Sequence, residues 1–267
     1  VGGIKLKMIQ KLNNFPSIYW ISLADVKERQ DRMNRIFQTL NLPNHKMIEA
    51  YDGRIFDYTQ PNDTVSGIYF HQMKSGEIAT VMSHLKAIKY WYYTTDEDFA
   101  VFMEDDMNLE MSEYWGFTWN DLISSMPQNW KSLQMNLIKE SDNPVKTSDI
   151  KFSRRIWQNW GAGCYAISRP YAKELLDRFC RGNQFYFIIE DRRELIPLIE
   201  NVLFLSAKDD AYTFPIFVEE VEIKTTFYPH FISTTSKPFQ QDSAKTVLDW
   251  WKTEGKNKTL KDLMKEI

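Results

Sequence analysis

The chain has 267 residues, 43% of them hydrophobic and 26% charged, with a net charge of −3. That is ordinary globular composition with material for a full core. It lacks the dense basic stripe a phosphate-tracking nucleic-acid binder needs, and no apolar run reaches the roughly 18 to 20 residues that span a bilayer. Two cysteines, Cys164 and Cys180, sit in apolar contexts, which argues against a disulfide framework and favours a reducing, cytoplasmic compartment. The first ten residues, VGGIKLKMIQ, lack the apolar stretch of a signal peptide. Aromatics reach 15%, including nine Trp, and these either fill the core or present flat faces suited to sugar rings.

Ile18 to Leu23 (IYWISL) reads as a buried strand. Asp25, with Glu28 three residues later, reads as the capping box of a helix whose apolar face is Val26, Met33, Ile36, Phe37 and Leu40, ended by Pro43. Lys46 to Ala50 is a second strand, closing into the turn Asp52-Gly53-Arg54; strand–helix–strand opens a parallel α/β sheet. Residues 57–75 read as a polar loop. Glu77 to Tyr93 is a strongly periodic helix, with Glu77 and His84 on one edge.

Phe99 to Met103 (FAVFM) is a buried strand running into Glu104-Asp105-Asp106. Ser132 to Ile138 and Gly161 to Ser168 are further strands, and Ser168 caps a helix through Phe179. Val202 to Ser206 is a short strand or a helix end; Ala244 to Trp251 and Leu260 to Ile267 are helices. With no linker or repeat, the chain reads as one domain, 1–267, with a core over 18–232 and a helical tail over 233–267.

The acidic triplet is the most informative feature. Ligands of open α/β sheets bind beyond the carboxyl ends of the strands. Adjacent carboxylates are costly unless a cation or solvent compensates. Mn²⁺ or Mg²⁺ typically takes one or two carboxylates plus substrate phosphates. Glu104 and Asp106 flank one residue, so both can point to one side of an extended segment. The bland alternative is a solvated acidic turn.

Five segments in order, ISLADVKERQDR, EAYDGR, GEIATVMSHLKAIKYW, VFMEDD and WGAGCYAISRPYAKELL, together resemble glycosyltransferase family 25. The family includes lipooligosaccharide glycosyltransferases and collagen-modifying galactosyl- and glucosyltransferase domains. The resemblance covers roughly residues 18 to 205. It implies a mostly parallel α/β fold of the GT-A type, a nucleotide-sugar donor (usually UDP-linked), Mn²⁺ or Mg²⁺, and an inverting single displacement onto a glycan or protein hydroxyl, such as hydroxylysine of a collagen-like chain.

Carried onto this sequence, the resemblance places the donor at Ile21, Ser22, Leu23, Arg29, Asp52, Gly53, Glu77, Ser83, His84, Glu104 and Gly161. Arg32 matches a second basic position. Asp106 is the preferred metal ligand, Glu104 contacts ribose, metal or metal-bound water, and Asp105 does either job or takes part in catalysis. Where the family usually has Gly-Cys, this chain has Ala79-Thr80. The segment PLIENVLF makes Glu200 the first candidate for the base that deprotonates the acceptor, with Glu190, Asp191, Asp209 and Asp210 as competitors. His230 is a candidate metal ligand. Trp157 and Trp160 either stack on a sugar or pack in the core. Two rival readings are a catalytically silent carbohydrate- or nucleotide-binding scaffold and another metal-dependent phosphoryl-group enzyme.

Overall fold

The structure is a computed structural model that describes residues 2–60, 62–68, 73–140, 142–188, 198–220 and 243–265. In chain order the elements are α1 (Gly2–Lys11), β1 (Ile18–Ser22), α2 (Lys27–Leu40), β2 (His45–Glu49), β3 (Val65–Ile68), α3 (Ser75–Thr94), β4 (Phe99–Glu104) and β5 (Met107–Asn108). They continue with α4 (Trp119–Ser125), β6 (Ser132–Gln134), β7 (Ser153–Arg154), β8 (Cys164–Ser168), α5 (Arg169–Phe179), β9 (Cys180–Arg181) and β10 (Gln184–Ile188). After a π-helical turn over Asn201–Leu205 come β11 (Ala211–Thr213), β12 (Val218–Glu219), α6 (Ser243–Thr253) and α7 (Leu260–Leu263).

Seven strands form the central sheet in the order β2-β1-β4-β8-β6-β11-β7. β1 pairs in parallel with β2 and β4, β6 pairs in parallel with β11, and β8 lies antiparallel between β4 and β6. Five strands therefore run one way and only β8 and β7 run against them, which is the mostly parallel α/β architecture expected. Both faces are covered. Along β1, Ile18 and Trp20 enter one core layer and Tyr19 and Ile21 the other, as a period of two requires. α3 and α5 pack in the layer with Tyr19 and Ile21; α1, α2, α4 and α6 pack in the layer with Trp20. α6 docks its Trp pair on the body: Trp251 is fully buried and its Nε1 donates to Pro215 O at 2.8 Å.

Both expected ends of α2 are corrected. Its N-cap is Val26, with no side-chain capping bond, because the Asp25 carboxylate is drawn instead to Arg54 Nη2 at 2.8 Å. The helix stops before Pro43: Asn41 turns left-handed at φ 53°, and Leu42 N–H donates to Phe37 O at 2.9 Å. The strand expected over 132–138 ends at Gln134, and the one expected from Gly161 starts at Cys164. The polar stretch 57–75 contains β3, which pairs with β10 in a small second sheet with β9. Val202 to Ser206 is helical rather than extended.

Candidate active site

The parallel order brings the carboxyl ends of β1 and β4 side by side, with Ile21 opposite Glu104. The start of β8 closes over the same edge, since Glu104 N–H donates to Gly163 O at 2.8 Å. β12 joins from beyond the sheet: it pairs with β5, and Glu220 N–H donates to Asp106 O at 2.7 Å. Four distant segments thus meet around the acidic triplet.

Each carboxylate of the triplet has a different setting. Asp105 is 5% exposed; its Oδ2 accepts from Ser22 Oγ at 2.6 Å and its Oδ1 lies 2.5 Å from Arg29 Nη2. Burial raises its pKa, against the pull of Arg29 and Ser22. Asp106 Oδ2 lies 2.8 Å from the same Arg29 nitrogen, while its Oδ1 is buried and receives no hydrogen bond among the described residues. Burial, together with the charges of Glu104 and Asp105, pushes Asp106 up to about 7, against Arg29.

Glu104 is the most open of the three, at 36% side-chain exposure. Burial works to raise its pKa, but the His84 hydrogen bond, the His84 charge and Arg29 outweigh it and hold the carboxyl below its ordinary value. His84 Nε2 lies 3.3 Å from Glu104 Oε1, and its Nδ1 lies 2.9 Å from Tyr165 Oη. Burial drives the Tyr165 hydroxyl well up, so it keeps its proton. An ionised carboxylate only accepts. Nε2–H therefore donates to Glu104, while Nδ1 and the Tyr165 hydroxyl share the second hydrogen bond of the ring.

A second group of carboxylates faces the triplet. Glu219, which the motifs did not single out, accepts from Asn136 Nδ2 at 2.9 Å. Burial, then the charges of Asp106 and Glu104, push it up to about 8, with Asn136 opposing. Its sequence signal was available: PIFVEE is a second apolar run ending in adjacent carboxylates, like VFMEDD. Glu200 Oε1 accepts from Gly161 N–H at 3.3 Å, and burial raises its pKa against that bond and the Arg155 charge. Gly161 has φ +104°, and a Cβ there would lie 2.7 Å from Asn136 Nδ2, the donor to Glu219. Glycine is required here for both backbone angle and space.

Several expected donor residues have structural partners. Glu77 Oε2 accepts from Lys74 N–H at 2.9 Å as a helix cap, whereas His84, on the same edge, reaches the triplet. Ser83 Oγ accepts from Tyr51 N–H at 2.9 Å and donates to Ala79 O at 2.6 Å. Leu23 O accepts from Gln30 Nε2 at 2.7 Å. Asp52 is bound by Arg54, which holds its pKa below the usual value and joins it to Asp25. Gly53 lies against α3: a Cβ would meet Gly76 Cα at 2.6 Å. Trp160 is buried, which leaves Trp157, at 57% exposure, as the open aromatic of that loop. Asp209 is exposed and Asp210 half-buried. Glu190, Asp191 and His230 lie outside the described residues.

The sequence model of one family, described as glycosyltransferase family 25 (LPS biosynthesis protein), matches residues 15–189. This span exceeds half the chain. The chain belongs to glycosyltransferase family 25. No curated protein sequence matches it. The matched span carries β1 through β10 and so includes the triplet, Arg29, His84 and Gly161; Glu200 and Glu219 lie after it. A glycosyltransferase needs a donor and an acceptor, and in this one no described helix is long and apolar enough to cross a membrane.

Among the described residues, no three His, Cys, Asp or Glu side chains converge to hold a metal unaided. A cation shared with a diphosphate needs fewer: Mg²⁺-like sites use one or two carboxylates and fill the rest with phosphate and water. The unpartnered Asp106 Oδ1 beside Glu104 fits that role.

Proposed function

We propose that the protein transfers a hexose from a UDP-sugar, with a divalent cation and inversion at the anomeric carbon, to a hydroxyl of a glycan or protein acceptor. The observation that carries this reading is Asp106: a buried, unpartnered carboxylate oxygen at the carboxyl end of a central strand, surrounded by like charges. Leaving such an oxygen unpaired is costly, and a cation bound with the donor would satisfy it. Mn²⁺ or Mg²⁺ there supplies neutralisation of the departing diphosphate.

The chain's own residues do the rest. Ile21, Ser22 and Leu23 border the donor at the end of β1. Ser22 and Arg29 hold Asp105, which orients its neighbours rather than reacting. The Tyr165–His84 pair fixes one oxygen of Glu104 and leaves the other for ribose or a metal-bound water. Glu200 remains the proposed base, and burial, which raises its pKa, makes it a stronger base than an ordinary carboxylate. Glu219, which feels the charges of both Asp106 and Glu104, is its rival.

A panel of nucleotide sugars tests the reading. Free nucleotide released from one UDP-hexose with Mn²⁺, and suppressed by chelator, is the expected result. Failure of every nucleotide sugar to bind, by calorimetry with Mn²⁺ present, would refute it.

A further inference from the structure

Arg29 sits in the first turn of α2, where its guanidinium spans two members of the triplet through one nitrogen. Its side chain is 11% exposed, and Arg32, one turn on, is tied 2.8 Å from Glu220. This helix face is therefore pinned to both acidic edges of the site. The two Arg29 contacts differ. Asp105 is almost fully buried and has Ser22 as a second partner, so it stays with the protein. Asp106 has Arg29 on one oxygen and, among the described residues, no hydrogen-bond partner on the other.

A doubly charged cation on Asp106 would stand beside this guanidinium. The two repel unless further negative charge arrives with the cation. A nucleoside diphosphate brings that charge, together with oxygens that suit Arg forks. We propose that Arg29 makes cation binding conditional on the diphosphate. Without nucleotide, Arg29 occupies Asp106 and weakens cation binding. With nucleotide, the diphosphate compensates the guanidinium and Asp106 is released to the cation. Cation and nucleotide then tighten one another by the same factor. This rests on the reading that Asp106 holds a divalent cation.

Mn²⁺ binding measured by the EPR signal of free Mn²⁺, with and without UDP, tests the proposal in the wild type and Arg29→Gln. In the wild type, UDP is expected to tighten Mn²⁺ binding at least ~10-fold, as a coupling of ordinary size. In Arg29→Gln, Mn²⁺ alone should bind at least ~10-fold tighter than to the wild type, and UDP should add less than ~3-fold. If the lost counter-ion of Asp105 prevents folding, the double variant Arg29→Gln/Asp105→Asn removes the buried charge too and carries the same comparison. Unchanged Mn²⁺ affinity and unchanged UDP coupling in the variants would overturn the Arg29 assignment while leaving the cation site standing. No Mn²⁺ binding by any form, with or without UDP, would overturn both.

Discussion

Asp106→Asn should stabilise the cation-free protein while disabling it. The wild-type carboxyl is displaced from the ordinary aspartate value of 3.8 to about 7, first by burial and then by Glu104 and Asp105. At about 1.4 kcal/mol per pH unit, the ionised form is worth roughly 4 kcal/mol less in the folded than in the unfolded state. Solvent reaching the side chain, 24% exposed, and the lost half of the Arg29 contact reduce the net gain, to about 1–3 kcal/mol. A chain of this size gains roughly 2–4 °C in Tm per kcal/mol. Because the folded pKa is raised, the wild type holds its full stability below about pH 4 and loses it as pH rises through about 7. The advantage of Asp106→Asn should therefore reach ~2–12 °C at pH 8 and be less than half of that at pH 5. Thermal unfolding in EDTA at both pH values measures it, and adding Mn²⁺ with UDP should reverse the order. Sugar transfer by the variant should fall at least ~100-fold if the charge acts on the leaving diphosphate. A variant no more stable than the wild type at pH 8, or ahead by the same margin at pH 5, would refute the reasoning.

Gly161→Ala forces a side chain onto φ +104° and against Asn136 Nδ2; it should cost about 1–3 kcal/mol of stability and lower kcat, since both Glu200 and Glu219 lose their set positions, as urea unfolding and steady-state transfer assays will show. Tyr165→Phe removes the hydrogen-bond partner of His84 Nδ1 and should cost about 1–3 kcal/mol in unfolding experiments, with a smaller drop in transfer rate than Asp106→Asn. Trp157→Ala removes an exposed ring; it should shift stability by less than ~0.5 kcal/mol and leave donor hydrolysis unchanged, while raising the KM of a glycan acceptor. An unchanged acceptor KM would remove Trp157 from the site.

The fold class was legible because its signals are local. An apolar run such as FAVFM must be buried, and the 3.6-residue period of α3 must present one face to a core. Motif order then pointed to the family. The triplet was legible for the same reason: three carboxylates following a buried strand lie at a strand end whatever the rest of the chain does. Helix ends were less so, because Asp25 had two possible partners, its own helix and Arg54, and only the turn after β2 decides between them.

What the tertiary structure alone decided is how identical residue types divide their roles. Glu104, Asp105 and Asp106 are consecutive and chemically alike, yet His84 holds the first, Ser22 and Arg29 the second, and the third shares Arg29 and has one oxygen without a hydrogen bond among the described residues. Glu77 and His84 share a helix edge, yet one caps its own helix and the other reaches the triplet. Glu219 stands 115 residues after Glu104 in the chain and comes within its electrostatic reach only because β12 pairs with β5. Sequence determines which groups can ionise and which segments must be buried; pKa and role depend on the distance to partners from other segments, and those distances exist only once the sheet order is set.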